Sequence, residues 1–147
     1  MKQVFDMAPA TGAANGMIVA IGILFLVIFL VLASSRMVHF EVSPDGSKIA
    51  GSIYGRTIPL QQLAIEEARV IDLTTDTEHK LSWRTNGIGL PGYSAGWFKL
   101  KNGDKALAFV TSKQVAFVPS REGYTVLLSA KSPGELVEAL KAAAGRR

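Results

Sequence analysis

Residues 96–111 read GWFKLKNGDKALAFVT and predict a β-hairpin, the local structure from which the rest of the fold can be worked out. Two runs rich in strand-forming residues flank Asn102-Gly103, the dipeptide that best accommodates the two positive-φ positions of a tight hairpin turn. The sequence therefore predicts paired strands at 96–101 and 105–111.

The segments on both sides of this hairpin predict further short strands. Val38, Phe40 and Val42 alternate towards one face, and Pro44-Asp45-Gly46 supplies a turn. The additional predicted strands are 37–43, 48–54, 68–73, 115–118 and 124–129. Residues 56–63 contain Pro59 and predict a short turn or one helical turn. The polar stretch 74–94 is rich in turn formers and has no clear strand pattern.

The C-terminal segment predicts an amphipathic helix that packs on the sheet. Ser132 is placed as the N-cap, Pro133 occupies the first helical position, and Glu135 is spaced to reach back to the cap. Leu136, Leu140 and Ala143 or Ala144 then form one apolar stripe.

A long uncharged segment near the N-terminus predicts a membrane anchor. No charged residue occurs from Met7 to Ser35, and residues 17–33 read MIVAIGILFLVIFLVLA. Twenty helical residues, 16–35, span about 30 Å, the thickness of the bilayer interior. A cleavable signal peptide is the rival interpretation, but its apolar core is usually only about 7–15 residues. We therefore expect a tail at 1–15, a transmembrane helix at 16–35 and one domain at 36–147.

Charge near the anchor bears on its orientation, and small residues bear on its packing. Arg36 and Lys48 follow the helix, so the tendency of Lys and Arg to stay inside favours a cytoplasmic C-terminal domain in the inner membrane. Gly12, Gly16 and Ala20 recur every four residues and are candidates for close packing against another membrane helix.

The net charge of +4 conceals two halves of opposite sign. Residues 37–79 contain three basic and seven acidic residues, whereas residues 80–131 contain eight basic and two acidic residues. Trp97, Lys99 and Lys101 are predicted to share one strand face, with Lys105 across the turn. Together with Arg84, these residues are the candidate contacts for an anionic lipid surface or an acidic protein partner, although exposed lysines that serve only solubility are an equal alternative.

Two short motifs match enzyme or cofactor patterns without the context that these patterns require. Gly87, Gly89 and Gly92 match the dinucleotide-binding GxGxxG, but Pro91 disfavours the helix that should follow, so a tight β connection is expected. Ser94 matches the GxSxG nucleophile motif, but both histidines, His39 and His79, precede it.

No catalytic, cofactor-binding or metal-binding residue is therefore assigned. The absence of cysteine removes thiol nucleophiles and thiolate metal sites. Asp72, Asp76, Glu78 and His79 lack the glycine and closing glutamate of a calcium loop, so a solvated acidic loop is expected. Nucleic-acid binding is disfavoured because Trp97 alone among the aromatic residues is placed for stacking within the basic half.

Several segments resemble the small bacterial pleckstrin-homology-like (PH-like) domains, and the resemblance covers most of residues 37–140. It rests on GRTIPL at 55–60, RTNGIGLPGY at 84–93, AGWFKLKNG at 95–103 followed by Lys105-Ala-Leu, and Leu127-Leu-Ser129. The resemblance implies an α+β fold with about seven antiparallel strands in a barrel or sandwich, capped by a C-terminal helix. It also implies binding rather than a reaction.

The combined expectation is a non-catalytic, single-pass membrane protein with no cofactor and no small-molecule substrate. Its PH-like domain would act as an accessory module that binds a membrane-protein partner or lipid surface, or that self-associates. The alternative is a direct sensor of anionic lipid that uses the basic face of residues 97–105.

Overall fold

The described part of the N-terminal unit is a single long helix, α1 (Thr11–Ser35). The computed structural model describes residues 11–35, 38–44 and 46–146, and the chain divides between Ala33 and Ser34 into two compact units. Within α1, the run Asn15–Ala33 is long and apolar enough to cross a membrane, and none of it is buried. The helix begins five residues before Gly16, so residues 11–15, which were predicted to be tail, are helical. Lys2 and Arg36 lie outside the described residues.

The second unit combines β-strands with a C-terminal helix, which confirms the predicted α+β class. Its elements are β1 (His39–Ser43), β2 (Gly46–Ala50), β3 (Thr57–Ile58), β4 (Arg69–Asp72), β5 (Leu81–Leu90), β6 (Tyr93–Leu100), β7 (Lys105–Val110), β8 (Gln114–Pro119), β9 (Tyr124–Leu128) and α2 (Pro133–Gly145). Single 3-10 turns occupy Leu60–Gln62, within the segment 56–63 where a short turn or one helical turn was predicted, and Ile65–Glu67, which lies outside that segment. The described part of the chain thus holds nine strands, against a prediction of about seven.

The strands form two sheets among the described residues. The first is antiparallel in the order β1-β2-β3, which confirms the predicted first hairpin. The second has the order β4-β8-β9-β7-β6-β5. In it β7 and β9 are parallel, so the prediction of antiparallel strands throughout is wrong at this pair. Strand β9 lies between β7 and β8, which keeps these chain neighbours from pairing with each other.

The hairpin of β6 and β7 forms as predicted, but its turn is longer than the tight turn inferred from Asn102-Gly103. Four residues, 101–104, connect the strands, and Leu100 donates its backbone N–H to the carbonyl of Asp104 at 2.8 Å. Gly103 has a φ of 92°, whereas none of the described non-glycine residues has a positive φ. The side chain of Asn102 instead bonds Asp104, which stabilises the wider loop.

Strand β5 runs through the polar stretch in which no strand was recognised. It pairs with β6 over most of its length, but its register shifts between Leu81 and Trp83 and again between Arg84 and Asn86. Each shift leaves one unpaired residue in β5 and breaks the two-residue alternation on which strand prediction depends. Most β5 side chains are exposed, because the strand lies at an edge of the larger sheet.

Helix α2 packs against β8, β4 and β1. Leu136, Leu140 and Ala143 are buried as predicted, and Val137 widens the buried stripe. Pro133 begins the helix, but Ser132 makes no side-chain capping hydrogen bond, so the predicted reciprocal cap is not formed. A core cluster on one face of the larger sheet includes Ile71, Phe98, Leu100, Phe117 and Leu127.

Candidate functional site

Four side chains lie in one line across the larger sheet, and we call them the basic row: Trp83, Lys99, Lys105 and Tyr124. Trp83 pairs with Lys99 between β5 and β6, Lys99 pairs with Lys105 between β6 and β7, and Lys105 pairs with Tyr124 between β7 and β9. Directly paired residues of neighbouring strands project from the same face of a sheet. Both lysines are exposed, and Trp83 is 71% exposed.

Trp97 lies two residues before Lys99 on the same strand face and connects the basic row to the smaller sheet. Its half-buried ring has Lys105 Nζ 4.5 Å from the centroid and Arg56 Cζ 5.1 Å from the centroid. The ring of Tyr124 meets it edge-on at 5.2 Å. Contacts of this kind between a cation and an exposed aromatic ring contribute about 0.5–1 kcal/mol each. They hold two positive charges beside one indole at the surface.

The cations at this surface have no carboxylate partner within the described residues. The ion pairs found there join Glu41 to Lys48, Asp76 to His79 and Glu66 to Arg121. The acidic residue adjacent to Lys105 is Asp104, whose carboxylate accepts a hydrogen bond from Asn102 Nδ2 at 2.8 Å. The positive charge of Arg56, Lys99 and Lys105 is therefore free to attract an external anionic group.

The structure does not bring all five predicted contact residues together. Trp97, Lys99 and Lys105 share one surface, and Lys101 is exposed in the adjoining 101–104 loop. Arg84 pairs with Phe98, which faces the core cluster on the other side of the sheet. A Cβ placed on Gly89 would lie 3.9 Å from both Arg84 Nη1 and Phe98 Cε1, which fixes the arginine on that face. Arg84 lines a cleft of about 440 Å³ at this edge of the sheet, and Trp83, which pairs with Lys99, also contributes to its lining.

Sequence reasoning missed Arg56, Trp83 and Tyr124. The irregular register of β5 hides Trp83 from any search for alternation. Arg56 reaches Trp97 from the connection just before β3, a contact for which the sequence holds no local signal. Tyr124 begins β9, and its place beside Lys105 depends on the parallel pairing of β7 and β9.

One glycine of the GxGxxG match, Gly87, lies where two strands come close together. Gly87 pairs with Gly96, whose φ is 118°. A Cβ on Gly96 would lie 2.6 Å from the carbonyl oxygen of Asn86, and one on Gly87 would overlap the carbonyl oxygen of Ala95. Gly87 and Gly89 lie within β5, and the chain continues through a turn at Gly92 into β6 rather than into a helix, as the expected tight β connection requires.

Ser94 lies inside strand β6 rather than at the strand-to-helix turn that a nucleophilic serine requires. Its side chain lines the cleft that also holds Arg84 and Phe98. Among the described residues its hydroxyl makes no hydrogen bond to a histidine. The geometry therefore gives Ser94 no general base.

The acidic segment 72–79 forms a hydrogen-bonded turn. Asp72 Oδ1 accepts the backbone N–H of Thr74 at 2.8 Å and also the Thr74 hydroxyl, and these bonds lower the Asp72 pKa. Asp76 pairs with His79 at 2.7 Å. Burial raises the Asp76 pKa, but the hydrogen bonds from His79, with the charges of His79 and Arg69, outweigh it and lower the pKa overall. No group of three or more potential metal ligands occurs in the described ranges.

The small residues proposed for membrane-helix packing lie in α1. Gly12, Gly16 and Ala20 are all helical, and Gly16 and Ala20 are exposed. A Cβ placed on Gly16 would meet no other atom within 4 Å. Their role in helix association stays a prediction.

Comparison with known proteins gives one match. A family model described as a bacterial PH domain matches residues 38–144. No curated protein and no solved structure matches the chain. The matched range contains every residue of the basic row, together with Arg56 and Trp97.

Proposed function

The chain belongs to the bacterial PH domain family, and from this premise we propose that it is a membrane-anchored interaction module that binds an anionic partner through the basic row. PH-like domains are generally non-catalytic modules. The observation that carries the proposal is the line of paired lysines and aromatic rings whose charges have no carboxylate partner in the described part of the chain.

The proposed anchor is α1, retained in the mature protein. Its apolar run of 19 residues exceeds the core of a typical signal peptide, which favours an uncleaved span. Arg36 and Lys48, which follow the helix, support an orientation with the PH-like domain in the cytoplasm. This is the side on which a bilayer carries most of its anionic lipid.

In the leading form of the proposal, the module is an accessory subunit of a membrane protein with an acidic surface. Co-purification of the full-length chain in mild detergent tests this form. We expect a stoichiometric membrane partner with the wild-type chain, and loss of that partner when Lys99→Glu and Lys105→Glu are combined. Lys113→Glu is the matched control, because Lys113 is also exposed but lies between β7 and β8, away from the row. Consistent recovery of the chain alone would count against an accessory role.

A direct sensor of anionic lipid is the second candidate, and the exposure of Trp83 in line with two lysines favours it. Tryptophan and cationic side chains are both suited to the membrane interface. Both tryptophans lie in the PH-like domain, so energy transfer from tryptophan to dansyl-labelled lipid reports its approach to the bilayer. We expect stronger transfer in vesicles of phosphatidylglycerol and phosphatidylcholine than in phosphatidylcholine alone. Equal transfer, or no effect of Lys99→Ala with Lys105→Ala, would exclude this candidate.

A further inference from the structure

We propose that Ile53 and Trp83 insert into the headgroup region of an anionic bilayer and dock the PH-like domain on the membrane that α1 spans. The proposal rests on the second candidate function, lipid binding, and adds to it a mode of attachment. Electrostatic attraction alone would keep the domain near the headgroups. Insertion would place two defined apolar side chains beneath the boundary between water and headgroups.

The first argument is the exposure of these two side chains. In the described part of the PH-like domain, three large apolar residues are exposed: Ile53 at 83%, Trp83 at 71% and Val70 at 40%. Each of the two most exposed is close to one of the unpaired cations, Ile53 along the chain and Trp83 by strand pairing. Ile53 precedes Arg56 by three residues, and Trp83 pairs directly with Lys99. Val70 lies on β4, at the opposite edge of the larger sheet.

The second argument is that Ile53 is held outward by a built turn. Gly51 has a φ of 83°, the Gly55 N–H donates to the carbonyl of Ser52 at 2.9 Å, and the Tyr54 N–H donates to Ser52 Oγ at 3.3 Å. Gly55 leaves no space for a side chain, because a Cβ there would overlap the carbonyl oxygen of Ile49. The turn therefore presents Ile53 to solvent without further ordering of the backbone on insertion.

The third argument is the match between this surface and an anionic leaflet. Arg56, Lys99 and Lys105 lack carboxylate partners among the described residues, and the headgroups of an anionic leaflet would supply the missing charge. An indole is amphipathic and is favoured at the boundary between headgroups and acyl chains. The span α1 would also keep the domain beside a bilayer. Because the domain and the span belong to one chain, docking is an intramolecular step at high effective concentration.

The test uses the full-length chain, which has no cysteine and can therefore be labelled at a single introduced site. An environment-sensitive NBD fluorophore is attached to Ile53→Cys, or to Val70→Cys as the matched control, and each protein is reconstituted into vesicles. The vesicles contain phosphatidylglycerol with phosphatidylcholine, or phosphatidylcholine alone, with or without doxyl-labelled acyl chains as quenchers.

We expect the label at position 53 to shift to the blue and to be quenched in the anionic vesicles, while the label at position 70 stays in water in both. Trp83→Ala should lower the ratio of docked to undocked domain about tenfold, as expected for returning one large apolar side chain to water. Raising the salt to about 1 M, where the Debye length is about 3 Å, should weaken docking by screening the lysines.

The outcomes separate insertion from simple lipid binding. If tryptophan-to-lipid energy transfer depends on phosphatidylglycerol but the label at position 53 stays in water, lipid binding stands and insertion is overturned. If neither signal responds to phosphatidylglycerol, both are overturned. Ile53→Cys can also be labelled in native membranes, and a label that is protected there but does not respond in pure lipid overturns insertion and assigns the surface to a protein partner.

Discussion

At the residue scale, Trp83 and Trp97 lie on the same sheet face but differ in burial and in their expected contribution to stability. Trp97 is half-buried between Tyr124 and two cations, whereas Trp83 is 71% exposed. We expect Trp97→Ala to lower the free energy of unfolding by about 2 kcal/mol, less than for a fully buried tryptophan. Trp83→Ala should change it by less than about 0.5 kcal/mol. Denaturant titration followed by circular dichroism measures both, and equal losses would contradict these roles.

The Asp76–His79 pair gives the fold a sensitivity to acid. The Asp76 pKa is lowered in the folded chain, so its stabilisation is present above the unfolded pKa of about 3.9 and is lost as the pH falls through the folded pKa. Asp76→Asn should cost about 1 kcal/mol at neutral pH through the weakened hydrogen bond. Its deficit relative to the wild-type chain should shrink below about pH 4. Unfolding midpoints measured at several pH values test this, and a constant deficit would rule it out.

The residues of the site differ in how far the sequence could predict them. Lys99 follows Trp97 by two positions inside a regular strand, so their common face follows from strand geometry alone. Arg56 and Trp83 could not be found in this way. The contact of Arg56 with Trp97 depends on how the two sheets meet. The position of Trp83 beside Lys99 depends on a strand whose register shifts twice.

At the scale of elements, the pairing of β5 with β6 depends on Gly87. A side chain there would overlap the backbone of β6. A Cβ added to Gly89, two residues along the same strand, would meet its nearest atoms at 3.9 Å, an ordinary van der Waals distance. We expect Gly87→Ala to destabilise the fold by about 2 kcal/mol and Gly89→Ala to be nearly neutral. Thermal unfolding of the two variants compares them directly. A harmless Gly87→Ala would show that the close approach of the strands is not required.

Helix α2 is stabilised by its buried face rather than by its cap. Leu140 is 1% exposed, so Leu140→Ala should cost about 3 kcal/mol. Ser132 makes no side-chain capping bond, and Ser132→Ala should therefore cost less than the usual 1 kcal/mol or so of a lost N-cap. Denaturant titration of both variants tests the assignment. A larger loss from Ser132→Ala than from Leu140→Ala would reverse it.

The elements that the sequence predicted best are those with strong local signals. The Asn-Gly hairpin, the pairing of β1 with β2 and the stripe of α2 all depend on neighbours within a few residues. The parallel pairing of β7 with β9 joins segments that are separated by β8, and nothing local marks such a pair. Strand β5 was missed because its bulges interrupt the alternation and its edge position leaves it polar.

At the scale of the whole molecule, the structure places part of the excess positive charge of residues 80–131 on one sheet face. This segment supplies β5 to β9, and three of these strands contribute Trp83, Lys99 and Lys105 to the basic row. Composition predicted the sign of the charge, but it could not separate Arg84, on the opposite face, from the lysines of the row.

Orientation is a further prediction for the molecule as a whole. We expect a reporter tag at the C-terminus to be protected from protease in spheroplasts and to be digested after lysis, because Arg36 and Lys48 favour the cytoplasmic side. Digestion of the tag in intact spheroplasts would place the domain outside.

The central claim is that the basic row faces a partner or lipid surface in the membrane, and acetylation of the native lysines tests it without any substitution. Isolated membranes and protein purified in a stringent detergent that removes bound partners and lipid are treated with the same reagent, and the rates are compared by mass spectrometry. Lys99 and Lys105 should react several-fold more slowly in membranes than in detergent, whereas Lys113 and Lys141, exposed elsewhere, should react alike in both. Equal rates at all four lysines in both preparations would contradict the claim.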